Sequence, residues 1–483
     1  MDIMANGTCR HIIFLGIGGI GMSALARYYQ AQGATIIGYD RTRTTLTDEL
    51  EHEGMAIVYD YEGLRAQSLC NHSELLVVRT AAIHDEDPVY RYFVERGIPV
   101  IKRAELLGKV TQAKKALCVA GTHGKTTTTT MLAHIFHRSH LGGSAFLGGI
   151  SNNYHSNLLI DNSDYVAVEA DEYDRSFLHL KPYMSVITSI DPDHLDIYGD
   201  AAGFRKGFDD YASLVEKAIV IKEGYEECLS RKAKIEGHKC PIYTYAVESE
   251  TADFTAANTL KHIHLQVPTR TNIEDAVAAA AIAKLNGVTD EEIKAGLESF
   301  QGVARRFDIV LRQKTIALQN QRPLCAKTTD EGEVVLIDDY AHHPTELQGS
   351  IDNVHDLFPN HQLVAVFQPH LYSRTRDFME GFAQVLSEAD KLILLPIYPA
   401  REEPIAGVTS EVLCEKCREL NPACHARVVE KKDLNLATIL SCGEEGAAYN
   451  DEEEEHKNVV ILMVGAGDIS ELVEPVRLAL TAQ

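Results

Sequence analysis

Apolar runs of four to six residues recur along the chain at 11–15, 34–39, 75–78, 116–119, 165–168, 184–187, 334–337, 363–367, 392–395 and 459–464. They are rich in Val, Ile and Leu with little polar alternation, the pattern of strands buried on both faces of a parallel sheet. Between them lie stretches with helical spacing, including 20–30, 128–137 and the alanine-rich 272–286. Strand and helix alternating in this way predicts an α/β chain whose ligands gather at the carboxyl ends of its strands.

At 483 residues the chain is too long for one core. The pattern predicts three domains: 1–107, a Rossmann-like unit; 108–304, a central P-loop ATPase unit with a mainly parallel sheet; and 305–483, a second Rossmann-like unit. Two stretches break the pattern and read as surface insertions. One is 312–333, a hairpin with a long tip. The other is 444–457, whose acidic run at 451–455 reads as a solvated loop.

Two glycine-rich loops follow apolar runs. The first is Gly16-Ile17-Gly18-Gly19-Ile20-Gly21, with Asp40 standing 19 positions beyond its last glycine. Glycines at a helix start let backbone N–H groups approach a phosphate, so this loop predicts a pyrophosphate at a helix N-terminus. NAD and a UDP-sugar both meet that requirement, and no separate dehydrogenase constellation accompanies the loop. The second is Gly121-Thr122-His123-Gly124-Lys125-Thr126-Thr127, a shortened Walker A pattern with Val119 where the full pattern has glycine. It predicts a nucleoside triphosphate, with Lys125 at the β- and γ-phosphates and the Thr126 hydroxyl on Mg²⁺. Two such loops in one chain predict two different phosphorylated ligands.

Glu169 closes the 165–168 run, where a Mg²⁺ ligand beside a phosphate loop is wanted. The segment Glu169-Ala170-Asp171-Glu172-Tyr173-Asp174 crowds four carboxylates, which is costly unless cations accept some of them. Three further polar clusters follow later runs or open the last domain: Arg305-Arg306-Phe307, the 338–345 segment, and the 368–376 segment. Three clusters at such positions predict a substrate wall.

Composition narrows the field. The apolar fraction of 45% and charged fraction of 24% are those of a globular protein. With 46 basic against 70 acidic side chains, the formal charge of −24 argues against nucleic acid and anionic membrane surfaces as partners. Anionic substrates must then be held by local cations and loop N–H groups. No stretch reaches the ~20 apolar residues that span a bilayer, so no membrane insertion is expected. The apolar 12–26 stretch carries spaced glycines and reads as a phosphate loop, not as a signal peptide. Ten cysteines are scattered, with Cys9, Cys70, Cys118 and Cys442 on or beside apolar runs, which fits a reduced cytoplasmic protein. Only Cys414 and Cys417, with Cys424-His425 downstream, have a metal-like spacing, and a lone pair of that kind is weak ground for zinc.

Taken together, Gly121 to Thr126, Glu169-Ala170-Asp171-Glu172, Asp193-His194, Arg305-Arg306-Phe307, the 338–345 segment and Gly465-Ala466-Gly467-Asp468 resemble the Mur ligases of peptidoglycan synthesis, in order along the whole chain. The resemblance implies a UDP-binding domain, a central ATPase and a C-terminal amino-acid-binding domain. It implies ATP, Mg²⁺, UDP-N-acetylmuramate and L-alanine as cofactors and substrates, joined through an acyl phosphate. Gly16, Gly18, Gly19, Ile20, Gly21, Met22, Asp40, Thr80 and Ala81 would hold the UDP-sugar. Gly121, Thr122, His123, Gly124, Lys125, Thr126 and Thr127 would hold ATP, with Asn272 meeting its adenine and Arg306 the ATP as well. Thr126, Glu169 and His194 would serve Mg²⁺. Tyr340, His342, His370 and Arg374 would surround the amino-acid end, with His342 or His370 as base. The segment from Gly16 to Ser23 favours the branch that adds L-alanine or the one that attaches a murein tripeptide; Gln368-Pro369-His370 and Tyr398-Pro399-Ala400 favour the former. Two positions depart from the family pattern: Thr271 stands where His is frequent before Asn272, and Leu371 where Arg is frequent after His370. The alternatives from other classes are an NAD-dependent oxidoreductase and a nucleotide-binding regulatory module. Oligomeric state stays open between monomer and homodimer.

Overall fold

The computed structural model describes residues 11–66, 75–193, 195–229, 240–314, 332–400, 402–440 and 458–481. The strands form three sheets. The first has the order β3 (Ala56–Val58), β2 (Thr35–Tyr39), β1 (His11–Leu15), β4 (Leu75–Arg79), β5 (Val100–Lys102), all parallel. Strand order reverses between β1 and β4, the place where an open parallel sheet takes its ligand. The Gly16 loop leaves β1 there, and Thr80 leaves β4 and donates its N–H to the Leu15 carbonyl at 3.2 Å.

The second sheet runs β13 (Phe254–Thr255), β12 (Ile242–Ala246), β11 (Ala218–Lys222), β10 (Met184–Ile187), β6 (Lys115–Ala120), β9 (Tyr165–Ala170), β7 (Ser144–Ser151), β8 (Ser156–Leu159). Only the edge strand β8 is antiparallel. β6 sits between β10 and β9, so the second glycine loop, Glu169 and the residues after β10 emerge side by side. The helix Arg270–Leu285 packs on the helix Lys125–Arg138 through a wholly buried alanine run, Ala276 to Ala283. Small side chains let the two backbones approach closely. His134 is buried in the latter helix, bonded to the Tyr154 hydroxyl at 2.7 Å and Ser299 Oγ at 3.0 Å.

The third sheet is β14 (Asp308–Lys314), β15 (Glu333–Asp339), β19 (Val459–Val464), β16 (Gln362–Phe367), β17 (Lys391–Leu394), β18 (His425–Val428). Its edge pair β14–β15 is the antiparallel stem expected at 312–333. The tip between those strands and the acidic 444–457 stretch lie outside the described residues, as do Cys9, Cys70 and Cys442. Cys414, Cys417 and Cys424 are buried free thiols, and burial pushes Cys417 and Cys424 up to about 12. Among the described residues no group of three or more His, Cys, Asp or Glu is arranged to hold a metal, and no helix is long and apolar enough to cross a membrane.

By backbone contacts the chain forms two compact units, 1–303 and 304–483. The first two sheets belong to one unit. Asn157 on β8 is fully buried against the helix Ile20–Ala31, donating to the Ile20 carbonyl at 2.5 Å and Ser23 Oγ at 3.0 Å. Arg27 donates to Asn157 Oδ1 at 2.8 Å and pairs with Glu53 at 2.6 Å.

Candidate active site

In the first unit, Gly16 and Ile17 donate their N–H groups to the Tyr39 carbonyl, folding the loop over the end of β2. Gly18 N–H donates to Asp40 Oδ2 at 2.8 Å, and Thr42 N–H donates to Asp40 Oδ1 at 3.2 Å. The acidic residue of the fingerprint therefore shapes the loop itself. Gly19 is the N-cap of the helix Ile20–Ala31, with no side-chain hydrogen bond to its first turn.

The second loop is built by close approach. Gly121 has φ +138° and a Cβ there would collide with Thr188 Oγ1; Gly124 has φ +78° and a Cβ would stand 2.8 Å from Asp275 Oδ1. Only glycine fits both conformations. Residues after β10 pin the loop: Ser189 Oγ accepts from His123 N–H at 3.0 Å, the Thr188 hydroxyl donates to the His123 carbonyl, and the Asp191 carbonyl accepts from Thr122 Oγ1 at 2.7 Å. Thr126 is buried in the first turn of the following helix, and Thr127 follows it there. Asn272 lies at the start of the helix Arg270–Leu285, its amide donating to the Val267 carbonyl at 2.9 Å. Asp275, one turn on, accepts from Thr128 Oγ1 at 2.7 Å beneath Gly124.

Lys125 Nζ donates to the Gly121 carbonyl at 2.6 Å and to Glu172 Oε1 at 2.9 Å. Burial works against its charge, but Glu172 and then Glu169 outweigh it and hold the ammonium above its ordinary range. Glu172 is 2% exposed, and burial pushes its carboxyl up against the attraction of Lys125. We assign the pair as ionised, because Glu172 faces a cation with three donors. Glu169 Oε2 is buried without a hydrogen-bond partner, as a carboxylate awaiting a cation would be. Gly148 makes room for it, since a Cβ there would collide with the carboxylate. His194 lies outside the described residues.

A cavity of about 250 Å³ lies between the start of the helix Ile20–Ala31 and the end of β9. Gly19, Ile20, Gly21, Met22 and Thr80 line one side, and Gly148, Glu169 and Asp171 the other, with Arg103 between them. Gly16, Gly18, Asp40 and Ala81 do not line it.

In the second unit, the ends of β15, β19 and β16 meet. Arg305 donates to the Gly465 carbonyl at 2.9 Å. Arg305 and Arg306 each place a guanidinium 4.9 Å from the Tyr340 ring. Rings then follow in file: Tyr340 to His342 at 5.2 Å, His342 to His370 at 6.1 Å, His370 stacked on Tyr398 at 5.5 Å. Burial, then Arg374 and His342, pushes His370 down to about 4. Burial also lowers His342, which Glu346 only partly offsets. Asp339 is buried and accepts from Phe307 and Tyr340 N–H at 3.2 and 2.8 Å, while burial drives Asp338 up to about 7. Leu371 has φ +71°, an unusual conformation for leucine, directly after His370. The structure thus gathers Tyr340, His342, His370 and Arg374 in one neighbourhood, and places Arg306, the residue expected at ATP, beside Tyr340 as well. Asp275 and Arg103 were not among the residues singled out, and Glu172 was named only within the crowded acidic segment, without a role; a basic pair at the end of β5 was the available signal for Arg103.

Family models described as Mur ligase family, catalytic domain; Mur ligase middle domain; and Mur ligase, glutamate ligase domain match residues 11–115, 119–283 and 325–450. The chain belongs to the Mur ligase family. Among relatives, the UDP-N-acetylmuramate–L-alanine ligase of Porphyromonas gingivalis strain W83 is 43% identical over 97% of this chain and 98% of its own length. The enzyme of the same name from Parabacteroides distasonis is 44% identical over 98% and 97%. A crystal structure of UDP-N-acetylmuramate–alanine ligase from Thermotoga maritima shares the fold with a TM-score of 0.74 at 24% identity, covering 98% of this chain and 99% of that one. A murein peptide ligase from Psychrobacter arcticus gives a TM-score of 0.62 at 22% identity, covering 98% of each chain. The three-domain Mur ligase architecture, with Rossmann-like first and last domains around a central mixed sheet, is therefore that of this chain.

Proposed function

We propose that this Mur ligase joins L-alanine to the lactyl carboxylate of UDP-N-acetylmuramate, converting ATP to ADP and phosphate. The carrying observation is a cavity lined both by the helix N-terminus at Gly19 and by Glu169, whose buried carboxylate oxygen has no hydrogen-bond partner. A dehydrogenase reading fares worse, because the Asp40 carboxylate that would meet a ribose already accepts from Gly18 and Thr42.

In this reading the UDP-sugar diphosphate lies at the start of the helix Ile20–Ala31, with Gly16, Gly18 and Asp40 shaping the loop, and Thr80 and Ala81 beside it. ATP lies on residues 121–127, with Asn272 toward its adenine and Arg306 a further contact to the ATP. The orphaned Glu169 oxygen suits Mg²⁺, which Thr126 and His194 would also hold and which would neutralise phosphate charge when bound. The lactyl carboxylate is ionised at neutral pH and needs no base. Its oxygen attacks the γ-phosphorus, the bond to ADP breaks, and an acyl phosphate forms. Lys125 supplies charge where it develops on the transferred group. Alanine, held by Arg374 through its carboxylate and walled by Tyr340, then attacks the acyl carbon. The C–N bond forms, phosphate leaves, and the amine proton passes to His342 or His370, both kept neutral by burial.

The test is phosphate release with UDP-N-acetylmuramate and ATP, offering L-alanine, L-serine, glycine and L-Ala-γ-D-Glu-diaminopimelate separately. L-alanine is expected to give the highest kcat/KM. Preference for the tripeptide would assign the chain to the tripeptide-attaching branch, and no amino-acid-dependent release would refute ligation.

A further inference from the structure

Arg103 opens the helix Arg103–Ala113 and lies across the first turn of the helix that follows the Gly16 loop. A Cβ on Gly21 would stand 2.7 Å from its Nη1 and 3.3 Å from its Cδ. The same guanidinium reaches Asp171 Oδ2 with Nη2 at 3.3 Å. Its neighbour Lys102 pairs with Asp174 at 2.7 Å. At and just beyond the second tether the chain turns sharply, with Asp174 and Arg175 both left-handed at φ +51° and +54°. Consecutive non-glycine residues in that region persist only where surroundings hold them. Glu172, which holds Lys125, lies inside the tethered turn and is fixed further by the Tyr198 hydroxyl on its carbonyl at 2.6 Å.

We propose that Arg103 is an anion contact for the UDP-sugar diphosphate, that Asp171 competes for it before the sugar nucleotide binds, and that this exchange couples the two phosphate loops. This rests on the UDP-sugar reading of the first loop. The diphosphate is favoured over the lactyl carboxylate as the partner because the guanidinium is packed on Gly21, in the helix-start turn that lines the cavity and where a phosphate is expected. When a phosphate takes the guanidinium, Asp171 loses its counter-charge beside Glu172. The acidic turn that restrains Lys125 then loosens as the acceptor substrate arrives. By linkage, ATP must help the UDP-sugar bind as much as the UDP-sugar helps ATP.

The test uses calorimetry on the full chain with UDP-N-acetylmuramate and, separately, UDP-N-acetylglucosamine, which has the diphosphate but no lactyl carboxylate. Arg103→Ala, with Arg103→Lys as the milder variant, is expected to weaken both ligands by about tenfold or more, the range for a hydrogen bond to a charged group. Asp171→Asn is expected to tighten both, because it removes the competitor, whereas a purely structural role would weaken them. In the wild type ATP and UDP-N-acetylmuramate should each tighten the other, and this enhancement should vanish in Arg103→Ala; its absence from the wild type overturns the coupling. Unchanged binding in folded Arg103→Ala, or weaker or equal binding in Asp171→Asn, overturns the proposal. Loss confined to UDP-N-acetylmuramate overturns the diphosphate assignment. Failure of the wild-type chain to bind either sugar nucleotide refutes the functional reading itself.

Discussion

Lys125 and Glu172 form an ion pair, 2.9 Å from Nζ to Oε1, that turns the cation of the phosphate loop back onto its own loop. Nucleotide must draw Lys125 away from a carboxylate that has little access to water. Lys125→Ala should abolish ATP turnover and leave UDP-sugar binding intact, because the two ligands use different loops. It should also cost about 3–5 kcal/mol of stability, the range for an orphaned buried charge. Lys125→Ala/Glu172→Gln should recover much of that stability without activity. Chemical denaturation of the single and double variants measures the coupling.

Gly148→Ala puts a methyl group into the Glu169 carboxylate. The chain should fold, with the carboxylate displaced. Mg²⁺ required for half-maximal phosphate release should rise severalfold, with UDP-sugar affinity changing less. An unaltered Mg²⁺ titration would separate Glu169 from the metal.

The file of rings from Tyr340 to Tyr398 makes a pH prediction. His370 is pushed down to about 4, well below its ordinary titration range, and burial lowers His342 as well. If one of them takes the amine proton, its replacement by Gln should slow amide formation about a hundredfold or more. It should also remove an acid limb lying below pH 6.5. Phosphate transfer to the lactyl carboxylate, followed by trapping the acyl phosphate with hydroxylamine, should survive. Wild-type rates and pH profiles in both variants would place the base elsewhere.

His134 gives a stability prediction of definite sign. Burial lowers it from 6.5 to about 4 in the folded chain, so the unfolded chain takes up the proton first. Its contribution is complete above pH 6.5 and is lost as pH falls toward 4. His134→Gln should flatten that part of the stability curve while lowering stability at pH 7. Urea midpoints between pH 7.5 and 4.5 would show it.

The strands were legible because they are buried on both faces: β1, β10 and β19 begin and end where their apolar runs do. The helix Lys125–Arg138 begins three residues earlier than its apolar spacing suggested, since Gly124 can hold a left-handed cap before the polar Lys125-Thr126-Thr127 turn. Lys125 and Glu169 were readable from loop chemistry and strand-end position. Arg103, Asp275 and Asn157 were not, because each acts across a distance in sequence that local patterning does not register: 68 residues from Arg103 to Asp171, 147 from Thr128 to Asp275 and 137 from Ile20 to Asn157. Asp40 was readable as part of a nucleotide fingerprint, yet it accepts from the loop's own Gly18 amide and from the nearby Thr42 amide.

The antiparallel register that pairs Lys314 with Glu333 at the margin of the third sheet has an evolutionary and practical consequence. Whatever peptide joins those strands leaves and returns at facing backbone positions, so its length is nearly free to drift. Doubling such a connection adds only about 0.6 kcal/mol of closure entropy. This margin is therefore a permissive locus, where lineages can gain or shed residues and an affinity tag or fluorescent reporter can be spliced in with catalysis left running.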